Sequence, residues 1–412
     1  MAKANRVFEE LAESFHTLRN RVFAKLYLAE TISLLGDAFT WVGLALLSYQ
    51  FGKERSAIIL ATALTLRVTA FIIFSPFAGV LADKIDRKKI LYITHFIRMG
   101  IVSCLPFVVS EWQIYILVFM LNVFNGFFTP TYRAVIPHVV EKQHYRQSVG
   151  LSTATFQLFG VLGPGLAGIA AVWLGAREIF FIDAISFVIA GVLILLIPAR
   201  AIRISPQSKE TSDASTWQNV IKGIRLLFMN KYIRFALSIE FVSAIAGAQI
   251  LVNTIGYIKT GLHLADTFYG WVMAAFGVGA AIAAFIAGSI DKSKSRKTSL
   301  IVGGLMIGIA ICLGNIAGYP MLLVLWLFAG LGQSLAEMPS ETLIGENIPE
   351  AEQGKVYGAH FAFSHLWWAV AYPLAGFIGS HFPAKSFLYG GILTLGCLFL
   401  FVCIFKPFNS RK

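Results

Sequence analysis

The chain consists largely of long apolar runs separated by short polar stretches. Because the hydrocarbon core of a bilayer is about 30 Å thick, a helix that crosses it needs roughly 20 apolar residues. A backbone inside lipid must also satisfy its own polar groups, so each such run predicts a membrane-spanning helix. We count twelve runs, at residues 25–50, 57–82, 90–109, 112–132, 148–174, 179–197, 232–258, 267–289, 298–317, 320–342, 356–381 and 386–405.

The basic residues test this division independently. With twelve spans, both termini and alternate loops lie on one side of the membrane. That side carries 26 of the 34 Lys and Arg residues, the opposite loops carry five, and three lie within spans. Cytoplasmic loops are enriched in Lys and Arg, so the pattern predicts that both termini are cytoplasmic. The net charge of +12 is explained by orientation and by contact with anionic membrane lipids, and requires no nucleic acid.

The composition excludes several other classes of protein. Hydrophobic residues make up 57% of the chain and charged residues only 14%, against about 25% charged in soluble proteins. Disorder and a disulfide-rich secreted scaffold are excluded by the same values. The four cysteines lie within apolar runs and form no CxxC pair, so we expect them to pack between helices. We predict no metal and no cofactor.

The longest polar interval divides the chain into two halves of six spans. Within it, Trp217 to Met229 has apolar residues at helical spacing, which predicts an amphipathic helix on the membrane surface. Two six-helix repeats around a cavity are typical of transporters with a midplane site. The predicted parts are an amphipathic N-terminal segment (1–24), a first bundle (25–197), a cytoplasmic linker (198–231), a second bundle (232–405) and a cytoplasmic tail (406–412).

The loop after the second run combines glycine, acid and base in the sequence GVLADKIDRKK, from Gly79 to Lys89. Gly79 allows two helices to approach closely, and Asp83 is placed to bond a neighbouring helix end or an arginine. This loop resembles the signature loop of the major facilitator superfamily, which latches the cytoplasmic side in one conformation. The family usually has Gly where this chain has Asp86. The resemblance implies a cytoplasmic gate formed by Gly79, Asp83, Asp86, Arg87 and Lys88.

The fifth run contains the glycine-rich sequence GVLGPGLAG. It includes a G-x-G-x-x-G string, but no strand precedes it, so a dinucleotide site is not indicated. Small residues inside a membrane helix permit close packing, and a proline bends the helix. The run is similar to the glycine-proline motif of proton-driven antiporters in the superfamily, although Ala167 stands where Gly is usual. The similarity implies export and helix packing through Gly160, Gly163, Pro164, Gly165 and Gly168.

Three further stretches are similar to the branch of the superfamily that contains macrolide-efflux and siderophore (enterobactin) exporters. They are Ser33–Asp37, Pro130–Pro137 and Phe181–Phe187. The resemblance covers most of the chain and is clearest in its first half. It implies an all-α membrane protein with twelve transmembrane helices in two pseudo-symmetric bundles of six. We expect a monomer in the bacterial plasma (inner) membrane.

Charged residues inside the spans are the functional candidates, because each costs at least a few kcal/mol in lipid. Asp37 is predicted to form a buried ion pair with Arg67 or Arg98. Glu30 precedes Asp37 by seven residues and shares its helix face, and Glu240 would contribute from the second half. A buried carboxylate that loses its cation tends to bind a proton, so the pair suits proton coupling. The alternative is a permanent structural pair.

Other polar residues in the spans suggest different roles. Asp183 lies near the outer end of the sixth run, so we expect it to have a packing or gating role. Glu337 and Glu341 lie toward the cytoplasmic end of the tenth run, where a latch role is expected. The histidines His95, His360 and His365 are expected to be hydrogen-bonded packing residues. Many proton antiporters of the superfamily carry R-x-x-Q-G in the fourth span. Here the segment 122–126 reads NVFNG and lacks that cation, so Arg67 or Arg98 replaces it or the coupling differs.

The leading hypothesis is a secondary active exporter that expels an amphiphilic drug, macrolide-like compound or siderophore in exchange for an ion, expected to be H⁺. The first alternative is movement of a lysophospholipid or metabolite on the same scaffold. The second is a membrane receptor or enzyme without transport. No phosphate-binding loop and no HExxH or G-x-S-x-G string is found, so we predict that the protein is not an enzyme.

Overall fold

The computed structural model describes residues 16–141, 144–202, 216–289 and 296–405. The predicted N-terminal segment before residue 16, the linker 203–215 and the tail 406–412 lie outside this part. Within it, α-helices are joined by short turns, and no β-strand occurs. The main helices are α1 (Arg21–Gly52), α2 (Ser56–Lys84), α3 (Arg87–Cys104), α4 (Glu111–Val139), α5 (Tyr145–Leu174), α6 (Ile179–Leu195), α7 (Thr216–Met229), α8 (Lys231–Gly256), α9 (Asp266–Ser289), α10 (Arg296–Cys312), α11 (Tyr319–Asn347), α12 (Glu350–His381) and α13 (Ser386–Phe405).

Every predicted apolar run overlaps one of these helices. Nine stretches of the described residues are long and apolar enough to cross a membrane. The first of them, Arg21–Phe74, contains α1 and most of α2, and α6 is a shorter apolar helix. The chain is therefore a helical, multi-pass membrane protein. The number of twelve crossings stays a prediction.

Side-chain oxygens fix where several helices begin. Asn20 accepts hydrogen bonds from the backbone N–H groups of Val22 (3.0 Å) and Phe23 (3.1 Å) at the start of α1. Asp86 accepts the N–H of Lys88 at 2.9 Å before α3, and Asn230 caps α8 in the same way. The first N–H groups of a helix have no partner within the helix, so these residues satisfy them.

The contacts group the chain into two compact units. The first consists of Met1–Gly43 and Thr69–Glu210, and the second of Leu44–Val68 and Thr211–Lys412. The sequence division places residues 44–68 in the first bundle, whereas the contacts group them with the second unit. The phenol of Tyr49, for example, hydrogen-bonds the hydroxyl of Thr260 at 3.1 Å within that unit.

The amphipathic helix α7 packs on the second unit. Leu227 is fully buried in an apolar cluster with residues of α8, α11 and α12. At Gly223 the two backbones approach so closely that an added Cβ would collide with the carbonyl oxygen of Lys355. Lys222 also forms an ion pair with Glu352 at 2.8 Å. One apolar face of α7 is thus covered by protein.

The helices of the second unit differ widely in how much of their surface is covered. In α8, 83% of the apolar segment is buried, against 22% in the segment of α12. The fully buried residues of α8 include Ile239, Val242 and Ser243. Glu240, which lies within this buried segment of α8, is only 6% exposed.

Candidate functional site

The predicted ion pair of Asp37 is present in the first unit. The Nη2 atom of Arg98 on α3 donates to both carboxylate oxygens of Asp37 on α1, at 2.8 and 3.1 Å. The Arg98 side chain is 2% exposed and that of Asp37 is 20% exposed. Of the two arginines that the sequence offered, Arg98 is the one seen paired with Asp37.

Aromatic rings surround the guanidinium of Arg98. Its Cζ atom lies 4.1 Å from the ring centroid of Phe187 and 5.9 Å from that of Phe128. His95, one turn earlier on α3, packs 4.5 Å from the Phe128 ring. Among the described residues, neither ring nitrogen of His95 has a hydrogen-bond partner. The arginine is therefore held by one carboxylate and by cation–π contacts with two aromatic rings.

Asp183 joins this pair from α6. It is fully buried and accepts hydrogen bonds from the hydroxyls of Thr40 (2.5 Å) and Ser186 (3.1 Å). It also interacts electrostatically with Asp37 and Arg98. The predicted position near one end of α6 agrees with the helix bounds, but the sequence did not indicate that Asp183 belongs with the ion pair.

A close approach of α1 and α6 makes this arrangement possible. A Cβ added at Gly36 would lie 2.7 Å from the Cβ of Ser186 and closer still to a carboxylate oxygen of Asp183. Only glycine leaves room for both side chains. The stretches Ser33–Asp37 and Phe181–Phe187, which carried the branch resemblance separately in the sequence, therefore pack against each other.

Glu30 adds a third acid two turns before Asp37 on α1. Its Oε2 atom is buried and, within the described part of the chain, has no hydrogen-bond partner. It interacts electrostatically with Arg98, Asp37 and the exposed Arg133. We call Glu30, Asp37, Arg98 and Asp183 the N-terminal charge cluster. It contains three carboxylates and one buried guanidinium.

A second group of titratable side chains lies in the second unit. Nε2 of His360 on α12 is 2.7 Å from Oε1 of Glu240 on α8, and these side chains are 10% and 6% exposed. Glu337 on α11 accepts a hydrogen bond from the hydroxyl of Ser243 at 2.8 Å and interacts electrostatically with both. We call Glu240, Ser243, Glu337 and His360 the C-terminal charge cluster. Glu240 was predicted as a site residue, whereas His360 was predicted only as a packing residue.

Arg67 on α2 also belongs to the second unit. It is half-buried and interacts electrostatically with Tyr372 of α12, which in turn interacts with Glu337.

The fourth helix carries no cation at the position where many proton antiporters of the superfamily have an arginine. Asn122 there is buried and donates to the carbonyl of Val118 at 2.8 Å.

The predicted gate residues connect helix ends within the first unit. Nη1 of Arg87 donates to the carbonyl of Ala134 on α4 at 3.1 Å, and Nζ of Lys88 donates to that of Leu195 on α6 at 2.9 Å. Leu195 is the last residue of α6, so its carbonyl has no partner within the helix and a cation there is favourable. Asp86 caps α3, as described above. Gly79 and Asp83 lie on α2, and their side chains are outside the described part.

The glycine-rich run lies on α5. An added Cβ at Gly163 would collide with the Cβ of Ala38 on α1, and Gly168 is buried. The side chains at Gly160, Pro164 and Gly165 are outside the described part. The described contact shows that this helix packs closely against the helix that carries Asp37. No group of three or more metal-ligating side chains is found in the described residues.

Comparison with known proteins decides the family. The sequence model of the Major Facilitator Superfamily matches residues 26–248 and 237–411. The chain belongs to the major facilitator superfamily. Among solved structures, that of the nucleoside transporter NupG is similar to this chain with a TM-score of 0.70 at 13% identity, covering 93% of this chain and 99% of that one. The fold is therefore the major facilitator fold, and the protein is a transporter rather than an enzyme.

Three bacterial relatives in the superfamily cover most of the chain. The uncharacterized transporter YfiS of Bacillus subtilis is 25% identical over 350 residues, 81% of each chain. Macrolide efflux protein A of Streptococcus pyogenes is 23% identical over 402 residues, 93% of this chain and 95% of that one. The enterobactin exporter EntS of Citrobacter koseri is 23% identical over 358 residues, 82% of each chain. The predicted resemblance to the family and to its exporter branch is confirmed.

Proposed function

We propose that the protein is a proton-coupled exporter that expels an amphiphilic small molecule by alternating access. The molecule is a drug, a macrolide-like compound or a siderophore. The observation that carries the proposal is the N-terminal charge cluster, in which one buried guanidinium pairs with Asp37 and interacts electrostatically with two further acids, Glu30 and Asp183.

The N-terminal charge cluster contains more carboxyl groups than cations, and this imbalance favours proton binding by the cluster. If all four groups were ionised, three negative charges would face one positive charge away from water. A buried net charge costs several kcal/mol, so a carboxylate in the cluster is favoured to hold a proton while water is excluded. Movement that separates α1 from α3 would break the Asp37–Arg98 pair and change the number of protons bound. Proton binding and conformation are then coupled.

Three observations support export of a large, partly apolar substrate. The relatives named above include a macrolide efflux protein and an enterobactin exporter, and the glycine-proline run on α5 is similar to the antiporter motif. Aromatic residues make up 14% of the chain. Such rings offer apolar contact area to an amphiphile.

The same proposal includes the position of the chain in the cell. The bias of 26 basic residues against five supports cytoplasmic termini, and the bacterial relatives support the plasma (inner) membrane. We propose a monomer surrounded by lipid, with the gate formed by the loop from Gly79 to Lys88.

The test is proton release by purified protein when a compound binds. A pH-sensitive dye would report release from full-length protein in detergent on addition of erythromycin, a catecholate siderophore or a lysophospholipid. We expect release with one of the first two compounds, and its loss in Asp37→Asn. The control Glu141→Gln removes a carboxyl that is 72% exposed and lies outside the cluster. Binding of a compound without proton release, or release that Asp37→Asn leaves unchanged, would overturn the proposal.

A further inference from the structure

The C-terminal charge cluster contains a buried acid–base pair that the proposed function does not use. Glu240 and His360 are 2.7 Å apart, and both are nearly enclosed. Glu240 lies on α8, whose 83% burial is the highest of the nine candidate spans in the described residues. Its second oxygen, Oε2, is buried and has no hydrogen-bond partner among the described residues.

The possible charge states of this pair differ in energy. With one proton shared, the pair is neutral overall, either as carboxylate with imidazolium or as carboxyl with imidazole. Without that proton, a carboxylate with an unpartnered oxygen remains buried beside a neutral ring. Burying an uncompensated charge costs far more than burying a neutral pair. Enclosure of the pair therefore favours the state that holds the proton, and entry of water favours its release.

We propose that the C-terminal charge cluster is a second proton-binding site, in which Glu240 and His360 share one proton. This inference rests on the proposed proton coupling and deepens it, because each unit then carries its own proton site. An export cycle would accordingly exchange at least two protons, one from each unit.

The charged groups on the surrounding helices also influence the protonation of Glu240 and His360. Glu337 from α11 is a second acid, and its ionisation opposes that of Glu240. Arg67 of α2 and Tyr372 of α12 lie beyond it. α13 carries no charged residue, and the charges of α10 are Arg296, which pairs with Glu346, and Lys297, both at its first turn. On α7, Lys222 pairs with Glu352, and on α8 itself the Cζ atom of Arg234 lies 6.0 Å from the ring centroid of Phe405.

The test follows the proton without any transport step. Full-length protein in lipid nanodiscs, labelled with ¹³C in the glutamate carboxyls and ¹⁵N in the histidine rings, is titrated from about pH 5 to about pH 9, a range that brackets the ordinary pKa of histidine. Infrared difference spectra report the glutamate carboxyls, and nitrogen NMR reports the imidazoles. The variants are Glu240→Gln and His360→Gln. The matched control is His365→Gln, which changes a histidine five residues further along α12 that bonds the carbonyl of Phe361.

We expect one glutamate signal and the His360 signal to change together in the unmodified protein. Glu240→Gln should remove the glutamate change and move the histidine transition by about one pH unit or more. His360→Gln should likewise move the glutamate transition, and His365→Gln should move neither. The inference is overturned if neither group titrates in this range, or if each titrates regardless of the other. Because no substrate is needed, this result is independent of whether the proposed export is found.

Discussion

The two charge clusters use different cations. In the N-terminal charge cluster the positive group is Arg98, whose guanidinium is charged at every pH that a protein meets. In the C-terminal charge cluster the basic group is His360, and an imidazole, unlike a guanidinium, exists in both a neutral and a charged form. Each of these two groups contacts a carboxylate on a largely apolar helix, the half-buried Asp37 on α1 and the buried Glu240 on α8.

This difference has a physical consequence for how each cluster responds. A carboxylate beside a permanent cation changes its protonation when the cation moves away. A carboxylate beside a histidine shares one proton with the ring, and the pair binds or releases that proton as a unit. We therefore expect the first cluster to be sensitive to helix movement and the second to pH, and the following changes test that contrast.

The largest effect on stability is expected from Arg98→Met. Removal of Arg98 leaves the three carboxyl groups of the N-terminal charge cluster without their buried cation, and loss of one partner of a buried ion pair lowers the free energy of unfolding by about 3–5 kcal/mol. His360→Gln should cost less, about 1–3 kcal/mol, because Glu240 becomes neutral by taking up the proton itself. Unfolding of both variants in the same lipid nanodiscs measures the difference. The double variant Arg98→Met with Asp37→Asn should recover much of the loss, and equal losses in the two single variants would contradict the contrast.

Gly36→Ala tests the close approach that brings Asp183 to the ion pair. The added methyl collides with Ser186 and Asp183, so we expect a loss of about 1–3 kcal/mol in the free energy of unfolding. Gly100→Ala on α3 is the matched control, since a Cβ there meets no atom within 4 Å. It should be neutral or slightly stabilising. Equal free energies of unfolding for the Gly36→Ala and Gly100→Ala variants would contradict the close packing of α1 on α6.

A smaller effect is expected from Ser243→Ala in the C-terminal charge cluster. It removes the hydrogen bond to Glu337 and should lower the free energy of unfolding by about 1–2 kcal/mol at neutral pH. Ser238→Ala on the same helix removes an exposed hydroxyl that bonds only its own helix, and should change stability by about 0.5 kcal/mol or less. A loss as large in the control as in Ser243→Ala would show that the bond to Glu337 is unimportant.

The smallest effect is expected for the exposed ion pair between Lys222 of α7 and Glu352, which we compare with the two buried clusters. Hydrogen bonds from Lys222 and then Lys355 hold the pKa of Glu352 below its ordinary value of 4.5. A carboxyl whose pKa is lowered by folding stabilises the folded state above the ordinary value, and this contribution is lost as the pH falls through the lowered one. Hydrogen exchange of α7, corrected for intrinsic rates, should therefore be constant above pH 4.5 and faster below it.

The control for this ion pair is Glu352→Gln. It should give fast exchange in α7 at every pH, because the charged partner of Lys222 is absent. Protection of α7 that persists unchanged at low pH in the unmodified protein would show that Leu227 and its apolar neighbours hold the helix without the ion pair.

Helix positions and the Asp37 ion pair followed from local patterns. Runs of apolar residues required no knowledge of neighbours, and Glu30 and Asp37 share a face by helical spacing alone. The partner of Asp37 was narrowed to two arginines, but the choice of Arg98 depends on which helices pack together. The amphipathic pattern of α7 likewise predicts that its apolar face is covered. It does not indicate whether lipid or the rest of the protein covers that face.

The remaining contacts join residues far apart in the chain. Thr40 meets Asp183 across 143 residues, and Glu240 meets His360 across 120. A single histidine in an apolar helix carries no local sign of its partner, so packing was the natural interpretation. Gly36 and Ser186 lie in two stretches that each resemble the exporter branch of the family. The sequence does not indicate that these two stretches contact each other.

The central claim is that Asp37 carries a proton step of transport, and exchange across a membrane tests it most directly. Proteoliposomes with unmodified protein or Asp37→Asn would be loaded with whichever compound releases protons from the purified protein. We predict that Asp37→Asn still exchanges labelled for unlabelled compound, while accumulation driven by a pH gradient of about one unit falls at least about tenfold. The reason is that each coupled proton contributes about 1.4 kcal/mol per pH unit, which is a factor of about ten in accumulation. Accumulation that remains at the level of the unmodified protein would contradict the account.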